Sequence, residues 1–169
     1  NLPRWKKAKD LTLHDYFGMV INDKSIVPKF NIRHNITRNK EILLDELKIW
    51  YNIGYFIGNG KLEPEDLITI PNTKILRDFG TFEDERVIPE WVQDSPKEYI
   101  QEFINGLLQA NISNTDKKQI ISKSIEYMFG LQRLFAKLEI ITSIYNLNKE
   151  GKYILEFMEE DGKYNENRK

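Results

Sequence analysis

The sequence predicts an α+β protein, because two helices with the same pattern of small residues are followed by strand, helix and hairpin patterns. In the stretch Ser95–Ser113, apolar residues recur at helical spacing, and Gly106 and Ala110 lie four residues apart. An earlier stretch repeats this arrangement with Gly54 and Gly58. Residues four apart share one face of a helix, so each helix has a face that is nearly free of side chains.

The helix after Ser95 has clear start features. Ser95 can cap the first free amides, Pro96 suits the first helical position, and Glu98 stands three residues after the cap to complete a capping box. A glycine within a helix costs about 1 kcal/mol relative to alanine, so Gly106 indicates close packing against a neighbour.

The earlier helix, which we expect to begin near Asp45, aligns with the later one at a constant offset. Three equivalent pairs are each separated by 52 residues: Gly54 and Gly106, Gly58 and Ala110, and Asn59 and Asn111. Two helices of this kind can pack through their small faces. The two asparagines that end the patterns would then lie side by side.

The residues before the first helix predict extended structure. Tyr16–Ile21 and Ser25–Phe30 are predicted strands, and the polar, basic segment Asn31–Asn39 is either a loop or a contact surface. Ile42–Leu44 is predicted as a short strand that leads into the helix, with Asp45 as the helix cap.

The residues after the first helix predict short elements and a final hairpin. In chain order these are Leu67–Ile70 as a strand, Lys74–Phe79 as a second short element, Gln119–Lys123 as a strand, Ser124–Leu138 as a helix, and Ile141–Leu147 with Lys152–Phe157 as an antiparallel hairpin. From residue 159 the chain has no apolar period and is predicted to be a polar tail. The tryptophans Trp5, Trp50 and Trp91 are predicted to anchor the core.

Composition restricts the chemistry. The absence of cysteine excludes disulfides and cysteine-based zinc sites, and two histidines cannot form a histidine-rich metal site alone. The net charge of −1 argues mildly against tight nucleic-acid binding but leaves room for a local basic face. No apolar run approaches the roughly 18–20 residues that span a membrane, and no secretory signal is visible. We therefore expect an intracellular protein with no membrane partner.

Taken together, these stretches resemble the LAGLIDADG homing endonucleases, and most closely the form embedded in inteins. Ile53–Gly60 and Phe103–Asn111 resemble the two signature helices, and Trp5–Tyr16 resembles the end of an intein's N-terminal splicing block. Arg86–Trp91 resembles the family's "K-x-I-P" block. Ser124–Leu138 resembles a later family helix that stops at a glycine, although Glu139 follows here. The sequence of the second half most resembles inteins of large DNA-virus family B polymerases.

The resemblance implies a pseudo-twofold fold of αββαββ halves, with the first half shortened after Gly60. It divides the chain into a splicing-domain remnant or linker at residues 1–40, an endonuclease-like domain at 41–158 and a polar tail at 159–169. It also implies a monomer associated with a host protein or an intein splicing domain.

In the family, an aspartate ends each signature helix, and the pair binds the divalent metals, Mg²⁺ in active members, that cut both DNA strands. Asn59 and Asn111 stand at these positions, and asparagine supplies only a neutral carbonyl. Arg86 stands where a lysine assists cleavage, and arginine cannot give up its proton at neutral pH. We therefore expect an ancestral site-specific DNA endonuclease that no longer cleaves efficiently and holds no metal.

The resemblance also implies contact with double-stranded DNA, because the strand that corresponds to Gln119–Lys123 lies on the DNA saddle of the family. The candidate DNA-binding residues around this strand are Lys117, Lys118, Lys123 and Arg133. Each could equally be a solvated surface residue. Two alternatives remain open: a DNA- or RNA-binding module without catalysis, and a structural insert that keeps only the fold.

Overall fold

The structure is a computed structural model that describes residues 25–34, 38–58, 70, 73–111, 119–147 and 151–157. Strands and helices alternate irregularly through these ranges. In chain order they are β1 (Lys29–His34), β2 (Arg38–Leu43), α1 (Leu47–Ile57), 3₁₀ segments at Thr73–Phe79 and Glu83–Glu85, α2 (Glu90–Gln93), α3 (Lys97–Asn111), β3 (Gln119–Ser122), α4 (Ile125–Lys137), β4 (Thr142–Leu147) and β5 (Lys152–Phe157). The predicted α+β class is confirmed. No helix within the described ranges is both long and apolar enough to cross a membrane.

The loop alternative for Asn31–Asn39 is wrong, because residues 31–34 and 38–39 belong to an antiparallel hairpin of β1 and β2, while the contact-surface alternative stays a prediction. The register pairs Lys29 with Leu43 and His34 with Arg38. Polar side chains do not prevent this pairing, because the ladder is made by the backbone and one face of an antiparallel sheet can meet solvent. The predicted strands before residue 25 and the segment 67–69 lie outside the described residues.

The start of α1 also differs from the prediction. Glu46, not Asp45, is the N-cap residue, and its side chain makes no capping hydrogen bond. The carbonyl of Asp45 instead accepts a hydrogen bond from the Tyr99 hydroxyl at 3.2 Å. At the start of α3, the Ser95 hydroxyl donates to the Trp91 carbonyl at 2.7 Å, which ties it to α2.

The second half of the chain forms a three-stranded antiparallel sheet in the order β3–β5–β4, which includes the predicted hairpin. Ile120, Leu155 and Ile144 are directly opposite one another and face inward against α4. Stacking of Phe135 on Phe157, with ring centroids 5.0 Å apart, fixes the helix to the sheet.

Helix α4 ends in a Schellman motif. The amide of Glu139 donates to Ala136 O at 3.0 Å and the amide of Ile140 donates to Phe135 O at 2.9 Å. This arrangement needs a left-handed residue, and Glu139 has a φ of 66°. Glycine is favoured in that conformation because it has no Cβ. Glu139 therefore occupies a backbone position that favours glycine, and a glycine stands there in the family helix that Ser124–Leu138 resembles.

The core is centred on aromatic side chains between α1, α3 and α2. Trp50 is fully buried, as predicted of a core anchor, and its indole donates to Leu44 O at 2.9 Å. Trp91 packs edge-on against both Trp50 and Phe79. Trp5 lies outside the described residues. These contacts hold the connecting segment against the helix pair, which is the part of the fold that positions the candidate site.

Helices α1 and α3 run parallel and touch through their backbones. A Cβ added at Gly54 would lie 1.9 Å from Phe103 O, and one added at Gly106 would lie 2.0 Å from Tyr51 O. The two contacts are equivalent: each glycine meets the carbonyl that lies three residues before the other glycine. The next contacts repeat the relation, from Gly54 to the amide of Leu107 and from Gly106 to the amide of Tyr55. The helices are therefore related by a local pseudo-twofold axis.

We predict that Gly106→Ala lowers the free energy of unfolding by about 3 kcal/mol, because its Cβ would meet backbone that cannot rotate away. Gly54→Ala should cost a similar amount because its contact is equivalent. Both substitutions force the same separation of the helices, so the double variant should cost clearly less than the sum of the two. Urea unfolding of the three variants measures these effects.

The matched control for this prediction is Asn105→Ala, next to Gly106 on the exposed face of α3. Its cost should stay within about 0.5 kcal/mol, as for other surface substitutions. A Gly106→Ala variant as stable as this control would contradict the backbone contact.

Candidate functional site

The parallel packing brings the C-terminal ends of α1 and α3 together. Gly58 follows α1 and Asn111 is the last residue of α3. A Cβ added at Gly58 would lie 2.8 Å from the Ala110 Cβ and 3.1 Å from Asn111 Nδ2. Two of the predicted interface residues, Gly58 and Ala110, therefore meet beside Asn111, one of the two positions of the family's aspartate pair. The other position, Asn59, lies outside the described residues.

The Asn111 side chain is half-buried and turned toward its own helix. Its Nδ2 donates to Leu107 O at 2.8 Å, one turn back along α3. The amide is neutral, so at this position the chain supplies a hydrogen-bond donor to the helix end and no charge.

Arg86 reaches the same end of the helix pair from the connecting segment. Its Nη1 donates to Ile57 O, in the last turn of α1, at 3.3 Å. The backbone around Arg86 is fixed on both sides, because Val87 N donates to Phe79 O at 3.0 Å and the Ser124 hydroxyl donates to Arg86 O at 2.5 Å. The guanidinium is therefore presented by an anchored backbone.

Ser124 connects this site to α4. It is the N-cap residue of that helix, and its Oγ accepts a hydrogen bond from the Tyr127 amide at 3.1 Å. Tyr127 is itself buried in the core. Burial raises the pKa of its phenol well above the ordinary value, and the positive charge of Arg86 acts in the opposite direction.

The donor set at the helix ends does not fit Mg²⁺. This ion binds through carboxylates, phosphates and water in nearly octahedral geometry. The described side chains here are a neutral amide, whose nitrogen faces its own helix, and a guanidinium. Across the described part of the chain, no group of three or more His, Cys, Asp or Glu side chains is placed to hold a metal ion.

Of the candidate DNA-binding residues, Lys123 and Arg133 have partners away from the helix ends. Lys123 forms an ion pair with Glu83 at 3.1 Å, and Arg133 Nη1 donates to Gln93 Oε1 at 3.3 Å. Lys123 precedes α4, whereas Arg133 lies about 12 Å along the helix axis from the first residue of α4. Lys117 and Lys118 lie outside the described residues.

The outer face of the β3–β5–β4 sheet offers a separate surface. Ile121, Ile154 and Tyr145 form a row across all three strands, and Ile121 and Tyr145 are 52% and 49% exposed. In the neighbouring row, Gln119 donates to the Glu156 carboxylate across the strands. This face therefore combines aromatic, aliphatic, amide and carboxylate groups.

The hydrogen bonds that hold Arg86 were not predicted from the sequence. The serine before the apolar period of α4 was a detectable N-cap signal, but nothing in the pattern indicates that its hydroxyl holds Arg86. The Arg86–Ile57 contact joins residues 29 positions apart and has no sequence signature.

No family model matches the chain. Among curated proteins, the chain is similar to a probable translation initiation factor IF-2 of Methanocaldococcus jannaschii, with 28% identity over 130 residues. The match covers 69% of this chain but 11% of that protein. The chain therefore spans about one ninth of the length of this relative, and the similarity is confined to a small part of it.

We predict that the burial of Tyr127 makes stability fall at alkaline pH. Below about pH 10 the phenol is protonated in both the folded and the unfolded state, so its contribution is fully present. Above this pH the unfolded chain releases the proton while the folded protein keeps it, and the free energy of unfolding drops by about 1.4 kcal/mol per pH unit. Urea unfolding between pH 8 and pH 11, as rough limits around the free phenol value, measures this slope.

In the Tyr127→Phe variant, this part of the slope should disappear. Tyr145→Phe, on the exposed sheet face, is the control and should keep the slope of the parent protein. Equal slopes for the parent protein and Tyr127→Phe would show that the phenol does not differ in acidity between the two states.

Proposed function

We propose that this chain is an intein-derived LAGLIDADG-type domain, descended from a site-specific double-strand DNA endonuclease, that has lost cleavage. The observation that carries the proposal is the pseudo-twofold contact of α1 and α3. Gly54 and Gly106 meet equivalent carbonyls on the opposite helix, at the 52-residue offset that relates the two signature-like stretches. Close packing of any two small-residue faces can give such a reciprocal contact, so what supports the proposal is its agreement with the 52-residue offset of the two signature-like stretches.

Three further features support this assignment. The helix that resembles a signature helix ends at Asn111, beside the end of the first. A sheet follows it, backed by α4. The end of α4 places Glu139 in the left-handed conformation that suits the glycine of the resembled helix.

The loss of cleavage follows from the chemistry at the helix ends. Metal-assisted hydrolysis of a phosphodiester needs anionic oxygens to hold the ion and to organise the attacking water. Asn111 supplies a neutral amide, and Arg86 cannot act as a general base at neutral pH. The described side chains at the helix ends thus lack the carboxylates that the family's aspartate pair would supply.

The match to the initiation factor covers 11% of that protein and does not bear on this proposal. No activity of that relative is assigned to this chain.

We predict weak binding to double-stranded DNA that leaves the DNA intact in the presence of Mg²⁺. The logarithm of the binding constant should fall with the logarithm of salt concentration, by about 0.9 for each phosphate that the protein neutralises. The combined variant Lys117→Glu and Lys118→Glu should reduce this slope by about 2 if both lysines contact phosphates. Fluorescence anisotropy with a pooled duplex, followed by gel analysis of the same samples, measures binding and cleavage together.

The matched control is Lys97→Glu, which reverses a charge at the start of α3 that pairs with Glu139 at 2.6 Å. It should leave the salt slope unchanged. Absence of binding at low salt would refute the DNA-binding part of the proposal and favour a structural insert. Mg²⁺-dependent cleavage by the unmodified chain would overturn the claim that catalysis is lost.

A further inference from the structure

The Asn105–Gly106 pair lies near the middle of α3, where the two helices touch. Asn105 is exposed, whereas Gly106 is buried against Tyr51 O. An asparagine that precedes a glycine is especially prone to lose its side-chain amide, because no Cβ on the glycine obstructs attack by the glycine nitrogen. A labile pair therefore stands within the contact on which the fold depends. A second such pair, Asn59–Gly60, lies outside the described residues.

The reaction of this pair needs no reagent other than water. The Gly106 nitrogen attacks Asn105 Cγ and loses its proton, the bond from Cγ to the side-chain nitrogen breaks, and ammonia leaves. Water then opens the resulting cyclic succinimide. Opening at the side-chain carbonyl gives aspartate, whereas opening at the main-chain carbonyl gives isoaspartate, in which the main chain runs through Cβ and Cγ.

The folded helix blocks this reaction. Interior amides of an α-helix donate to the carbonyl four residues back, so the Gly106 N–H is engaged, and the helical dihedral angles keep its nitrogen from closing a ring with Asn105 Cγ. The Asn105 side chain is also held on both sides, because its Oδ1 accepts from Gln101 Nε2 at 3.0 Å and its Nδ2 donates to Glu102 Oε1 at 3.2 Å. Gly106 lies more than a full turn from the end of α3 and packs on Tyr51, so fraying of the helix end does not free it. Release of the pair requires that α1 and α3 separate.

Isoaspartate at position 105 is incompatible with the helix contact. It adds one carbon atom to the main chain directly before Gly106, which breaks the hydrogen-bond register of α3 at that point. Gly106 faces Tyr51 O so closely that one added Cβ would lie 2.0 Å from this oxygen. A main chain that is displaced by one atom can no longer present Gly106 to that oxygen.

We propose that Asn105–Gly106 is a self-modification site that the α1–α3 contact keeps inactive. The pair reacts in chains whose helices have separated, and its isoaspartate product prevents the helices from meeting again. Deamidation thereby makes unfolding of this domain irreversible and leaves a permanent chemical record of it. The inference rests on α3 and its contact with α1, and it holds whether or not the protein binds DNA.

The experiment incubates the full chain at a series of urea concentrations across its unfolding transition, in mildly alkaline buffer, and follows Asn105 by peptide mass spectrometry. Trypsin separates Asn105 from Asn59, because it cleaves after Lys61 and Lys97. Fragment spectra assign the deamidated residue, and isoaspartyl methyltransferase measures the isoaspartate. The rate at Asn105 should rise in proportion to the unfolded fraction given by tryptophan fluorescence. In the native protein it should be lower than in the unfolded chain by about 1,000-fold or more.

Gly54→Ala is the informative variant, because it weakens the helix contact and leaves the Asn105–Gly106 pair intact. At one urea concentration below both transitions, its rate should exceed that of the parent protein by on the order of 100-fold. Equal rates for the two proteins would overturn the proposal. A rate at Asn105 that stays constant across the transition of the parent protein would overturn it as well, because the helix would then give no protection. This titration tests the proposal even if the variant does not fold.

Asn105→Asp separates the two products of the reaction. It carries the aspartate product without the extra main-chain atom, so it should refold from urea and melt within about 2 °C of the parent protein. Chains with isoaspartate at position 105 should stay unfolded when the urea is diluted, and the isoaspartate should therefore be enriched in the unfolded material. Isoaspartate chains that regain the melting temperature of the parent protein would overturn the claim that this product keeps the helices apart.

Discussion

The structure depends on the approach of α1 and α3 to direct backbone contact. Only a residue without a Cβ fits at Gly54 and Gly106, because any larger side chain would enter the peptide group of the opposite helix. Because the two helices run parallel, this approach brings their C-terminal ends together, where Arg86 donates to Ile57 O. The aromatic cluster around Trp50 and the α4-backed sheet then pack around the pair.

The elements with strong periodicity were predictable from sequence. The helix pair follows from the repeated small residues, and the last hairpin follows from two alternating runs around Gly151, which has a φ of 60°. The β1–β2 hairpin was missed because its strands are mostly polar. Backbone hydrogen bonds pair the strands, and this pairing requires no alternating apolar pattern that could be recognised in the sequence. The cap of α1 was misplaced because the helix begins without a side-chain cap.

The candidate site was predictable only in part. Asn111 stands at the end of a helix that the pattern defines, so its position could be inferred. The partners of Arg86, Lys123 and Arg133 could not, because each contact joins residues that are about 30 to 40 positions apart and is set by packing of the intervening segment. Two candidate DNA-binding side chains thus have protein partners, which sequence alone gave no reason to expect.

The parallel direction of α1 and α3 also affects the rate at which the molecule can fold. Two antiparallel helices can meet through a short loop, but parallel helices meet only after the chain has returned along their full length. Here that return includes both 3₁₀ segments and α2. The central contact is therefore non-local, and the entropy of closing a long loop must be overcome before it forms. Folding of this domain should be limited by that closure and be slower than the folding of a helical hairpin of equal size.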